Sequence, residues 1–82
     1  MSMSPDRQDD AIVQLCSRWL ARHIGNPELA AALAEVDATQ LQPGQTEAVQ
    51  ELRDALAEAG DARTATLEVV LRETIEALAL GI

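Results

Sequence analysis

Residues 10–24 read DAIVQLCSRWLARHI and contain the chain's only tryptophan, cysteine and histidine: Trp19, Cys16 and His23. At about 100° per residue, Leu15, Trp19, Ile12, His23, Cys16, Leu20, Val13 and Ile24 fall in one arc of a helical wheel. Ser17, Ala21, Gln14, Arg18 and Arg22 fill the other side. The apolar arc covers close to half the circumference, wider than the roughly 100° stripe of a surface helix. A helix with so broad a face is expected to touch two or more neighbours. Trp19 lies near its centre and, with no Phe or Tyr in the chain, is the largest apolar group available.

Outward from this stretch the signals stay helical. Gly25 suits a left-handed C-terminal cap. Asn26-Pro27-Glu28 reads as N-cap, N1 and N2 of a second helix, from Pro27 to about Val36, with Leu29, Leu33 and Val36 on its inner side. Asp37–Gln45 is the longest break. Pro43-Gly44 fits the centre of a type II turn, Leu41 is expected to pin the loop to the core, and Asp37 or Thr39 can cap one extra turn. A third helix is expected from about Thr46, as N-cap, to Ala59, ending at Gly60. Its inner arc holds Val49, Leu52 and Leu56, with Glu51, Asp54 and Glu58 outside.

A fourth helix is expected from about Ala62 to Leu80, capped by Asp61 or Thr64. Its stripe holds Leu67, Val70, Leu71, Thr74, Ile75 and Leu78. Val69 and Leu80 fall on the opposite side beside Glu73 and Glu76, where a four-helix monomer leaves them wet. Gly81 and Ile82 form a candidate C-terminal cap, and residues 1–8 read as a flexible tail. The expectation is a small compact all-α bundle of four helices over residues 9–82, with room for a fifth short turn near 38–42.

Size and charge narrow the function. A chain of 82 residues buries roughly 60% of its unfolded surface, so self-association or a partner is a natural supplement. The net charge is −8 and unevenly spread. Residues 1–24 carry three acids against three arginines, whereas residues 25–82 carry eleven acids against three arginines. Such a surface repels phosphate backbones and anionic membranes, so no nucleic-acid or membrane partner is expected. All six basic residues are arginine and 15 residues are alanine, as in proteins of GC-rich bacteria. Without an apolar run of membrane-spanning length, the expected location is cytoplasmic.

Chemistry-bearing patterns are sparse. Cys16 and His23 share a face but lie two turns apart, roughly 10 Å of rise, too far for a thiol–imidazole hydrogen bond. No second Cys or His exists to complete a metal site, and there is no calcium loop or Gly-rich phosphate loop. No catalytic residue, metal or cofactor is expected. His23 is read as a half-buried residue bonded to a terminal carbonyl, with a partner-contacting or pH-sensitive role as the alternative.

Carrier proteins are similar in size, charge and helicity, but they need a serine at a helix start. The serines here are Ser2 and Ser4 in the tail and Ser17 in mid-helix. Death-fold adaptor domains are similar in length and helicity, with six helices against the four or five expected here.

The leading functional expectation is a small acidic non-enzymatic adaptor or assembly module that binds another protein or itself, homodimer included. The candidate interface is Arg18, Arg22, His23, Val69, Glu73, Glu76 and Leu80. The alternatives are a degenerate carrier-like or small accessory subunit of a biosynthetic enzyme, and an antitoxin or anti-regulator with a basic partner.

Overall fold

The computed structural model describes residues 8–80. It is an all-α bundle of four helices: α1 (Gln8–Leu20), α2 (Asn26–Ala34), α3 (Pro43–Ala59) and α4 (Ala65–Leu80), with one 3-10 turn at Ala38–Gln40. Each helix packs on the next along the chain, and α4 closes back onto α1. The broad face of α1 thus meets α2 on one side and α4 on the other. The residues read as tail, apart from Gln8, and the cap assigned to Gly81 and Ile82 lie outside the described residues.

One core fills the centre: Ile12, Cys16 and Trp19 from α1, Leu29 and Leu33 from α2, Val49, Leu52 and Leu56 from α3, and Leu67, Leu71 and Leu78 from α4. Leu15, Leu20, Val70 and Ile75 are only partly buried and pack against its edge, as do Leu41 and Val36 from the break between α2 and α3. The edge positions follow from geometry. They sit on the flanks of arcs that are wider than the contact each helix makes. Thr74 is buried within the α4 stripe, its hydroxyl donating to the carbonyls of Val70 (2.8 Å) and Ala48 (3.3 Å).

The helix ends depart from the expected boundaries. The first helix stops at Leu20, not at Gly25. Arg22, with φ 66°, takes the left-handed position usually held by glycine. The His23 N–H bonds to the Arg18 carbonyl (2.8 Å) and the Arg22 N–H to the Trp19 carbonyl (3.0 Å), the paired pattern of a Schellman ending. Gly25, not Asn26, is the N-cap of α2, and Asn26 and Pro27 form its first turn. The Glu28 carboxylate accepts the Gly25 N–H at 2.9 Å, so the Asn26 amide is free to work elsewhere.

Pro43 and Gly44 are the first turn of α3 rather than a type II turn, and Thr46 lies inside the helix rather than capping it. Proline costs nothing at this position, because the N–H it lacks has no helical partner there. Gln42 is the N-cap, and Gln45 does two jobs: its Oε1 accepts the Gln42 N–H (2.9 Å) and its Nε2 donates to the Leu78 carbonyl (3.2 Å). The Gln45–Leu78 and Thr74–Ala48 bonds make α3 and α4 antiparallel. Asp37 does cap the short turn. The Thr39 hydroxyl and backbone N–H donate to its carboxylate, which holds the Asp37 pKa below its ordinary value.

α4 begins at Ala65, with the Thr64 hydroxyl accepting the Leu67 N–H at 3.0 Å. Asp61 is not the cap, because residues 60–63 are committed to another task. The Trp19 indole N–H donates to Asn26 Oδ1 at 2.7 Å. The Asn26 amide donates in turn to the carbonyls of Gly60 (3.0 Å) and Ala62 (2.8 Å). Arg63 closes the circuit. Its guanidinium lies 4.0 Å from the centroid of the Trp19 ring and donates to the carbonyls of Trp19 (2.7 Å) and Ile24 (2.8 Å). These bonds tie α1, the turn after it and the α3–α4 link into one latch.

The latch predicts a large effect at a residue with no apolar bulk. Asn26→Leu strands a buried indole N–H and removes the donor to two carbonyls. Its cost is expected at about 2–4 kcal/mol in urea unfolding followed by Trp19 emission. Arg22→Gly has the opposite sign. Relieving a left-handed arginine is expected to raise stability by about 0.5–1 kcal/mol, since the strain removed exceeds the extra freedom given to the unfolded chain.

Candidate functional site

The rare residues of α1 do not assemble a reactive centre. Cys16 is fully buried in the core, and desolvation pushes its thiol up to about 12. A thiol so held is neutral, and the neutral form is a poor nucleophile and metal ligand. His23 lies past the end of α1, exposed rather than half-buried, because the Schellman turn swings it off the helix. Its imidazole makes no hydrogen bond among the described residues, and only its backbone N–H is engaged, by the Arg18 carbonyl. The shared face read for Cys16 and His23 therefore does not exist. Among the described residues, no group of three or more His, Cys, Asp or Glu side chains is placed to hold a metal ion.

The residues named as a candidate interface are all exposed: Arg18 in the last turn of α1, Arg22 and His23 beyond it, and Val69, Glu73, Glu76 and Leu80 on α4. They come from two parts of the chain. The α4 residues lie at i, i+4, i+7 and i+11, directly opposite the buried row Leu67, Leu71, Thr74 and Leu78. Val69 is 54% exposed and Leu80 69%, the two large apolar side chains left open to water among the described residues. Arg18 and Arg22 make no ion pair among the described residues, although the later helices are acidic.

Glu73 joins the outer face of α4 to a groove of about 480 Å³ between α3 and α4. Ala48, Thr74 and Ala77 line it, and Glu47, Glu51, Asp54 and Glu73 supply its charged groups, with no basic residue among them. Small side chains on the floor leave the space open, and acids on the rim set its sign. Asp54 accepts a hydrogen bond from Gln50 (3.1 Å), but none of these carboxylates forms an ion pair among the described residues. The one pair on α4, Arg72 with Glu68 at 3.4 Å, lies on the side away from the groove.

Sequence reading passed over Arg63 and the true work of Asn26. One signal was present. A buried tryptophan needs an acceptor for its N–H, and Asn26 is the first amide after it in the chain.

The buried thiol makes a clean pH prediction, because the chain has neither lysine nor tyrosine. Below an ordinary value near 9 the Cys16 thiol is neutral whether folded or unfolded, and its contribution is complete. Above that, the unfolded chain ionises and the folded one does not. Stability is therefore expected to fall as pH rises from about 9 towards about 12, at up to about 1.4 kcal/mol per pH unit. Urea midpoints of Cys16→Ala should lack this slope, and the native thiol should resist disulfide reagents until the chain unfolds.

No protein-family model matches this chain, and neither does any curated protein or any solved structure.

Proposed function

We propose that the chain is a small non-enzymatic module that works by binding protein. The observation that carries this reading is the outward face of α4. Two large aliphatic side chains stand in water there, next to a groove of carboxylates without counter-charges. Single exposed aliphatics are ordinary on any surface. Two of them on one helix face, flanking Glu73 and Glu76, make an amphipathic surface with no intramolecular use. Cys16 and Trp19 are spent on the fold, one in the core and the other with Asn26 in the latch. No buried side-chain nitrogen or oxygen atom among the described residues lacks a hydrogen-bond partner. No helix among them is long and apolar enough to cross a membrane.

Native mass spectrometry and light scattering, on the chain alone and mixed with the products of adjacent genes, test this reading. A stoichiometric complex, homo- or heteromeric, is the expected result. A well-folded, strictly monomeric chain that forms no complex with any of those products counts against it.

A further inference from the structure

The α4 face carries information about what covers it. Val69 and Leu80 are eleven residues apart, about 16 Å along the helix. Glu73 and Glu76 stand between them. Three further acids, Glu47, Glu51 and Asp54, lie across the groove on α3. An occupant must bury the two aliphatics and meet this charge at the same time.

A second copy of this helix does the first but not the second. In an antiparallel pairing of two α4 helices that sets Val69 against Leu80, Glu73 of each copy faces Glu76 of the other. A parallel pairing sets each glutamate against its own counterpart. Either way four carboxylates converge, while the one arginine of α4, Arg72, is engaged with Glu68, and like charges so brought together are destabilising. Phosphate-bearing ligands and anionic lipid surfaces are repelled by the same acids. A cationic helix satisfies both demands.

We propose that the outer face of α4 and the adjoining α3–α4 groove dock a basic amphipathic helix of another protein. The proposal rests on the protein-binding reading above and names its surface and partner chemistry. Apolar residues of the incoming helix cover Val69 and Leu80. Its arginines or lysines reach Glu73 and Glu76 on one side and Glu47 and Glu51 across the groove. Apolar burial supplies the anchors, and charge supplies orientation, encounter rate and the rejection of self-pairing.

Three labelled synthetic helices test this on the full chain by fluorescence anisotropy. One carries a leucine stripe with arginines beside it. The second has the same stripe with glutamates, and the third keeps the arginines but scatters the leucines. The leucine–arginine helix is expected to bind at about 10 μM or tighter in about 20 mM salt, and about tenfold more weakly in about 200 mM salt. The other two helices are expected to bind at least about tenfold more weakly than the first.

On the protein side, Glu73→Gln with Glu76→Gln, and separately Val69→Ser with Leu80→Ser, should each weaken binding at least about fivefold while Trp19 emission stays native. Arg18→Gln with Arg22→Gln should not weaken it. Equal binding of all three helices, or binding untouched by either α4 pair, overturns the proposal. Homodimers that dissociate on Val69→Ser with Leu80→Ser also overturn it, and they leave the protein-binding reading standing. If no complex of any kind forms, that reading falls as well.

Discussion

The hydrogen bond from the Trp19 indole to Asn26 holds the departures at the α1–α2 turn and at the start of α4 in place. A tryptophan near the centre of the core must place its N–H against an acceptor or lose the benefit of burial. Asn26 supplies it and passes the connection on to Gly60 and Ala62. The chain must therefore turn back after Leu20 so that Asn26 comes within reach. The Schellman turn at Arg22, the glycine cap of α2 and the late start of α4 all accommodate that requirement. Arg63 reinforces it from the other side, with a forked guanidinium suited to two carbonyls and a flat face suited to an aromatic ring. Lysine offers neither the fork nor the plane.

Much of the architecture was legible in the residues. Aliphatic side chains recurring at helical spacing located all four helices, and the row Leu67, Leu71, Thr74, Leu78 could be read directly. That information is local, since a helix face is defined within a few turns. What could not be read was set by contacts between segments far apart in sequence. Pro43-Gly44 is equally at home in a turn or a helix start, and only the Gln45 bond to Leu78 decides between them. Asn26 is a good cap residue by propensity, and only the presence of Trp19 and Ala62 draws it away. The exposed side of α4 was legible for the same reason as the core, because a wheel that places the buried row also places its opposite. The groove was not, since it exists only where α3 and α4 meet.

Charge and packing are kept apart in this molecule. The acids line the outer surfaces of α3 and α4, while the arginine with structural work, Arg63, pairs with carbonyls and an aromatic ring rather than a carboxylate. The stability of the latch is therefore expected to depend weakly on salt, because its charge meets dipoles at short range rather than an opposite charge through solvent. Surface acidity is then free to serve solubility and recognition without weakening the core.

The latch also bears on the order in which the structure forms. Four of its bonds join residues 34–44 apart in sequence, whereas the Trp19–Asn26 bond spans seven and a helical turn four. Closing so long a loop is entropically unrewarded until the helices on both sides exist. The Asn26 and Arg63 bonds to their distant carbonyls should therefore lock late, after the folding barrier has been crossed. Interactions absent from the transition state do little to the folding rate and act almost wholly on the rate of opening. The latch is therefore expected to act as a kinetic brake that lengthens the lifetime of a small, alanine-rich bundle.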